Sequence, residues 1–238
     1  MLMKTYLWIE DHIGKASYQF WTTFMNEICP EIIVESKRNN RELVKAVRGL
    51  TDKKNRYIIA FDNSFDNLQI YMEQKILKEA ADIRDNVFLL DLICFEYTLL
   101  EFDKLIDWIY APEDEFREKR ADAIMAREKL IQIIKTGEMD YKSIREIMTY
   151  DSKLKNHNIE QLSAKLLFDL TRNTGFEVSK GDLGECWKSN CCEWSDRQID
   201  DICGLDEMKL TKKDKMQKIY LGTSLQIEFK KIGLEVMV

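Results

Sequence analysis

Tyr57-Ile58-Ile59-Ala60-Phe61-Asp62-Asn63-Ser64-Phe65-Asp66 is the stretch that decides how this chain folds. A short apolar run rich in β-branched and aromatic residues reads as a strand buried on both faces, and here it ends in acids. Thr5-Tyr6-Leu7-Trp8-Ile9-Glu10-Asp11 has the same form, and a helix-like stretch follows each of them. In an open α/β sheet the carboxyl ends of neighbouring parallel strands line one crevice, where ligands bind. Carboxylates crowded into such a crevice repel one another, so they point to a divalent cation or a proton that needs them. The same acids also suit the starts of the following helices, and spacing alone leaves both readings open.

Outward from these two segments, strands and helices alternate. Thr5–Glu10, Glu31–Ser36, Tyr57–Asp62 and Asn86–Cys94 read as strands, and Lys15–Ile28, Arg41–Leu50 and Leu68–Ile83 as the helices between them. Strands separated by helices of this length imply right-handed βαβ crossovers. The expected fold is therefore α/β, a mainly parallel sheet with helices on both faces. From Glu96 onward the pattern becomes helical, over Tyr97–Tyr110, Glu113–Thr136, Tyr141–Tyr150, Ile159–Thr174 and Lys212–Ile232. The pattern divides the chain into an α/β core over 1–110 and a helical extension over 111–238, with both halves free to share one core.

Nine Gly and two Pro in 238 residues favour long helices over a β-sandwich. No apolar run approaches the roughly 18 residues that a membrane span needs. Met1 to Lys4 pass straight into the first strand without a signal-peptide pattern, so a cytoplasmic protein with reduced thiols is expected. Cys29 and Cys94 stand alone in apolar surroundings and read as core residues. Cys186, Cys191, Cys192 and Cys203 cluster within the turn-rich segment 186–203. Structural Zn²⁺ prefers Cys-x₂₋₄-Cys pairs, whereas adjacent Cys191 and Cys192 cannot easily both face one ion. His12 and His157 lie far away in sequence, so packed thiols are the preferred reading and zinc is the alternative.

Three segments in one order carry a resemblance. Tyr6-Leu7-Trp8-Ile9-Glu10 with Phe20-Trp21, then Tyr57 to Asp66, then Leu89-Leu90-Asp91-Leu92-Ile93-Cys94-Phe95-Glu96-Tyr97-Thr98-Leu99-Leu100 resemble the layout of a Toprim domain. That domain occurs in topoisomerases, primases, recombination proteins and OLD-type nucleases. More narrowly, the segments look like a bacterial Toprim-like family linked to phage defence. The resemblance spans about the first 100 residues. It implies that Glu10, Asp62 and Asp66 are catalytic and that Asp62, Asp66 and Glu96 hold Mg²⁺ (or Mn²⁺). Glu10 would then act as base, or as acid toward the leaving oxygen, in phosphodiester cleavage. Three positions depart from the family: Asp11 stands in place of a Gly, Ser17 falls near a family Asp, and Ser64 replaces the second Asp of the pair. A Ser hydroxyl is an uncharged and weaker Mg²⁺ ligand. The departures leave a nuclease and a non-catalytic module that binds nucleic acid or a protein partner as competing functions. For Glu96, a helix-start carboxylate is the other reading.

The net charge of −6 excludes a global attraction for nucleic acid, yet Lys37, Arg38 and Arg41 cluster after the second strand, on the expected rim of Glu10 and Asp62. Cations beside metal-binding carboxylates suit a phosphate backbone. A second basic run, Lys209 to Lys218, reads as a solvated helix surface. No Gly-x₄-Gly-Lys-Ser/Thr is present, which argues against a P-loop nucleotidase. A phospho-acceptor receiver would need a strand followed by Lys beyond Cys94, and none is apparent.

Overall fold

The computed structural model describes residues 3–63, 66–112, 114–137, 141–150, 158–193, 203–205, 208–234 and 236, so Ser64, His157 and Trp194 fall outside the described residues. Strands β1 (Thr5–Ile9), β2 (Ile32–Ser36), β3 (Arg56–Asp62) and β4 (Val87–Leu92) pair in parallel, in the order β2-β1-β3-β4. Successive side chains of a strand point to opposite faces. Leu7, Ile9, Ile58, Ala60, Leu90 and Leu92 accordingly enter one buried cluster, while Trp8, Tyr57, Ile59, Phe61 and Val87 enter another.

Helices cover both faces. On the second face lie α2 (Asn40–Arg48) and α3 (Leu68–Asp82), through Leu43, Val44, Val47, Ile70 and Leu77. Both start on a capping amide: Asn39 accepts the Glu42 N–H, and Asn67 accepts the N–H groups of Gln69 and Ile70. On the first face lies α1 (Ala16–Ile28), whose Phe20, Trp21, Phe24 and Met25 recur at helical spacing and are buried. Burial of each such side chain contributes about 1.5–3 kcal/mol.

The helical half comprises α4 (Phe95–Leu100), α5 (Leu105–Ile109), α6 (Glu115–Lys119), α7 (Ala121–Thr136), α8 (Tyr141–Met148), α9 (Ile159–Thr171), α10 (Glu185–Lys188), α11 (Lys212–Leu221) and α12 (Leu225–Lys231), and all but α6 contribute to the cluster on that same first face. The Phe24 ring lies 5.9 Å from that of Phe229 on α12, and the Phe20 ring 5.2 Å from that of Phe95 on α4. Leu130, Leu166, Met216 and Phe229 belong to the same buried cluster as Leu7 and Ile58. The expected division at residue 110 therefore marks a change of pattern within one core.

Three segments expected as single helices are broken, each for a tertiary reason. The break between α4 and α5 frees backbone carbonyls, and the buried guanidinium of Arg127 on α7 donates to Leu100 O at 2.6 Å and Phe102 O at 2.7 Å. Glu101, at the same break, accepts the Ser224 N–H at 2.7 Å. That contact also fixes the break between α11 and α12, where a Cβ on Gly222 would come within 2.9 Å of the Phe102 ring. Between α6 and α7, Arg120 turns inward to donate to the Tyr110 hydroxyl at 2.9 Å and Leu170 O at 2.6 Å.

Candidate active site

The register of the sheet explains why two distant acids meet. Ile9 pairs with Ala60 on adjacent strands, so Glu10 and Asp62 both leave the sheet at its carboxyl edge. Their carboxyl groups are within hydrogen-bonding reach of each other. Glu10 Oε2 is sealed from solvent and has no hydrogen-bond partner. An unpaired buried carboxyl oxygen is costly, and such a position accommodates a proton or a cation.

Two more acids converge on the pair. Glu96 is the second residue of α4, behind Cys94, whose Sγ accepts the Tyr97 N–H at 3.3 Å. Glu160 is the second residue of α9, behind a capping box formed by Asn158 and Gln161. Burial and the negative charge of Asp11, Glu160 and Glu96 push Glu10 up to about 8, although its contact with Asp62 opposes the shift. Burial, followed by the charge of Glu10, holds Asp62 well above the ordinary carboxylate range. Burial pushes Glu96 up to about 7 and also raises Glu160. The Glu10–Asp62 pair titrates as a unit and retains a proton near neutrality.

These acids open onto a cavity of about 460 Å³. Its floor is the sheet edge, and its sides are Lys15, Ala16 and Ser17 at the start of α1 and Phe95 and Glu96 on α4. The far wall comes from the helical half, through Glu160, Ala164 and Phe168 of α9 and the segment Val178–Lys180. Asp11 accepts the hydroxyl hydrogen of Ser17, and its carbonyl accepts that of Ser36 at 2.5 Å, which pins the loop after β1. Ser17 therefore orients a carboxylate held by Asp11. Gly14 turns this loop with φ +92, a left-handed conformation that favours glycine.

Other expected site residues lie elsewhere. Asp66 caps α9, accepting the Ile159 N–H at 2.9 Å and 3.2 Å through its two oxygens, and it does not line the cavity. Lys37 follows β2 at the same sheet edge, but its ammonium pairs with Glu35 at 2.8 Å and lies 3.8 Å from the centre of the Trp8 ring. Arg38 adopts φ 77 beside it. Arg41 faces a groove between α2 and α3 that it lines with Val44, Lys45, Arg48 and Ile76. The cations at the acidic cavity are instead Lys15 and Lys180.

Sequence reasoning missed Glu160, Lys180 and Phe168. The Asn158-Ile159-Glu160-Gln161 start signal is legible, but an acid in a first helical turn is an ordinary dipole preference and does not announce a site. The carboxylates themselves suit Mg²⁺, which is commonly bound through one or two acids and keeps several waters. Among the described residues, no group of three or more His, Cys, Asp or Glu is arranged to hold an ion outright. At the cysteine segment, Cys186, Cys191 and Cys203 pack against the core and Cys192 is exposed. Fully buried Lys215 lies near all four thiols and donates to the Cys186 carbonyl. Comparison of the chain with protein-family models, curated proteins and solved structures finds no match.

Proposed function

We propose that this chain is a divalent-cation-dependent phosphodiesterase of the nuclease type, with Glu10 and Asp62 at its centre. The observation that carries the reading is the Glu10–Asp62 contact at the ends of adjacent parallel strands, where both residues line a cavity and Glu10 Oε2 is buried without a partner. The resemblance to Toprim-like proteins supports it, and the setting in phage defence rests on that resemblance alone. Asp62 and Glu96 are the residues that would hold Mg²⁺ or Mn²⁺, which neutralises charge on the transferring phosphoryl group. In hydrolysis, the oxygen of a water bonds to phosphorus and the bond to the leaving sugar oxygen breaks with its electron pair. Glu10 gives its proton to that oxygen, and the proton of the water passes to solvent. Lys15 sits where it attracts a phosphate toward the acids.

One observation favours a second reading, a non-catalytic module that binds nucleic acid or a protein partner. Asp66, expected to strengthen the metal site, is occupied at the start of α9. The two readings separate in a cleavage assay with labelled oligonucleotides and Mg²⁺ or Mn²⁺. The wild type cleaves and Asp62→Asn does not, if the first reading is right. Wild-type protein that cleaves nothing with either ion leaves the binding module standing.

A further inference from the structure

The cavity that holds these acids has walls, and the walls select what can enter. Its volume of about 460 Å³ lies in the range of pockets that enclose one small ligand, roughly 300–1,000 Å³. The carboxyls lie at its floor, and the helical half stands across from them with Glu160, Phe168 and Val178. A cavity of that volume takes about one nucleotide, and a paired nucleotide would have to leave its stack to enter it. An unpaired one enters without that cost.

The lining matches the parts of such a nucleotide. Lys15, at the start of α1, lines the cavity and brings a cation to it. Lys180, with its exposed side chain, stands at the opposite wall as a second cation. Phe168, half-buried, turns part of its ring surface into the cavity, and a base face stacks on such a ring without regard to sequence. Glu10, Asp62 and Glu96 line the same cavity, where the scissile phosphate and its cation would meet.

We propose that the substrate is single-stranded nucleic acid, entered one unpaired nucleotide at a time, with its phosphate between Lys15 and Lys180 and its base against Phe168. The proposal rests on the phosphodiesterase reading above. Phe168 and Lys180 are then specificity residues contributed by the helical half, outside the segments that resemble a Toprim domain.

The test uses the full chain with Mn²⁺ and three substrates: a 12-nucleotide single strand, the same sequence as a blunt duplex, and methyl p-nitrophenyl phosphate. The single strand is expected to be cleaved at least tenfold faster than the duplex. Phe168→Ala is expected to raise KM for the single strand roughly tenfold, as lost base stacking predicts, and to shrink the preference over duplex. Lys180→Ala, at an exposed site that does not threaten folding, is expected to raise KM in the same direction. Duplex cleaved as fast as single strand overturns the substrate proposal and leaves the phosphodiesterase standing. A strand preference untouched by either variant also overturns it. Failure to cleave all three substrates, the small diester included, overturns the phosphodiesterase reading itself.

Discussion

Replacing Glu10 by Gln is expected to stabilise the cation-free protein at high pH and to leave it nearly unchanged in acid. Burial raises the Glu10 carboxyl from its ordinary 4.5 to about 8. Below pH 4.5 the folded and unfolded states both hold the proton, so the group costs nothing. As pH rises from 4.5 to 8, the unfolded state ionises freely while the folded state keeps its proton, and stability is lost across that window. At about 1.4 kcal/mol for each tenfold change in proton affinity, the ceiling is about 5 kcal/mol. Part of the shift comes from neighbouring acids that titrate with Glu10, and water relaxes around a cavity wall. About 2 kcal/mol is therefore the expected gain for Glu10→Gln at pH 8, or roughly 4–8 °C in Tm for a chain of this size. Urea unfolding of wild type and variant with chelator at pH 5 and pH 8 measures it, since the difference between the two proteins cancels every group that does not interact with Glu10. Millimolar Mg²⁺ should restore wild-type stability at pH 8 more than that of the variant. A variant no more stable than wild type at pH 8, or equally stabilised at both pH values, would refute the reasoning.

Two further outcomes follow from particular contacts. Arg127→Met should destabilise by about 2–4 kcal/mol, because the carbonyls of Leu100 and Phe102 lose their buried donor; a denaturation midpoint unchanged at constant slope counts against this account of the α4–α5 break. Gly184→Ala places a Cβ 2.4 Å from Gly175 O and 2.8 Å from Glu177 N, so the turn beside Val178–Lys180 must move; a cost of about 3 kcal/mol or more in urea unfolding, with weakened single-strand binding, is expected, and a neutral effect on both would show that this cavity wall is not held there.

Much of the fold was legible because each strand carries its own signal. Four short apolar runs separated by amphipathic helices lead to a parallel sheet, and the acids at the ends of two of them lead to its carboxyl edge. Locally decided elements also matched well: α1, α2 and α3 begin and end within a few residues of where their periodicity places them. The helical half was less legible, because its breaks depend on partners distant in sequence. Nothing near Glu101 signals that Arg127 will take the freed carbonyls, or that Ser224 will occupy the Glu101 carboxylate.

The site divides in the same way. Glu10, Asp62 and Glu96 were marked by sequence, since strand ends and a helix start adjoining β4 share one sheet edge by topology alone. Tertiary structure decided which other groups join them. It set Asp66 at the start of α9 beside Glu160, drew Lys37 onto Glu35 and Trp8, and brought Glu160, Phe168 and Lys180 to the cavity. The physical reason is range. Periodicity and capping act between residues a few positions apart and are written into the local sequence. The wall facing the acids exists because α9 buries its apolar face against α4, more than fifty residues earlier in the chain, and no local pattern records that contact.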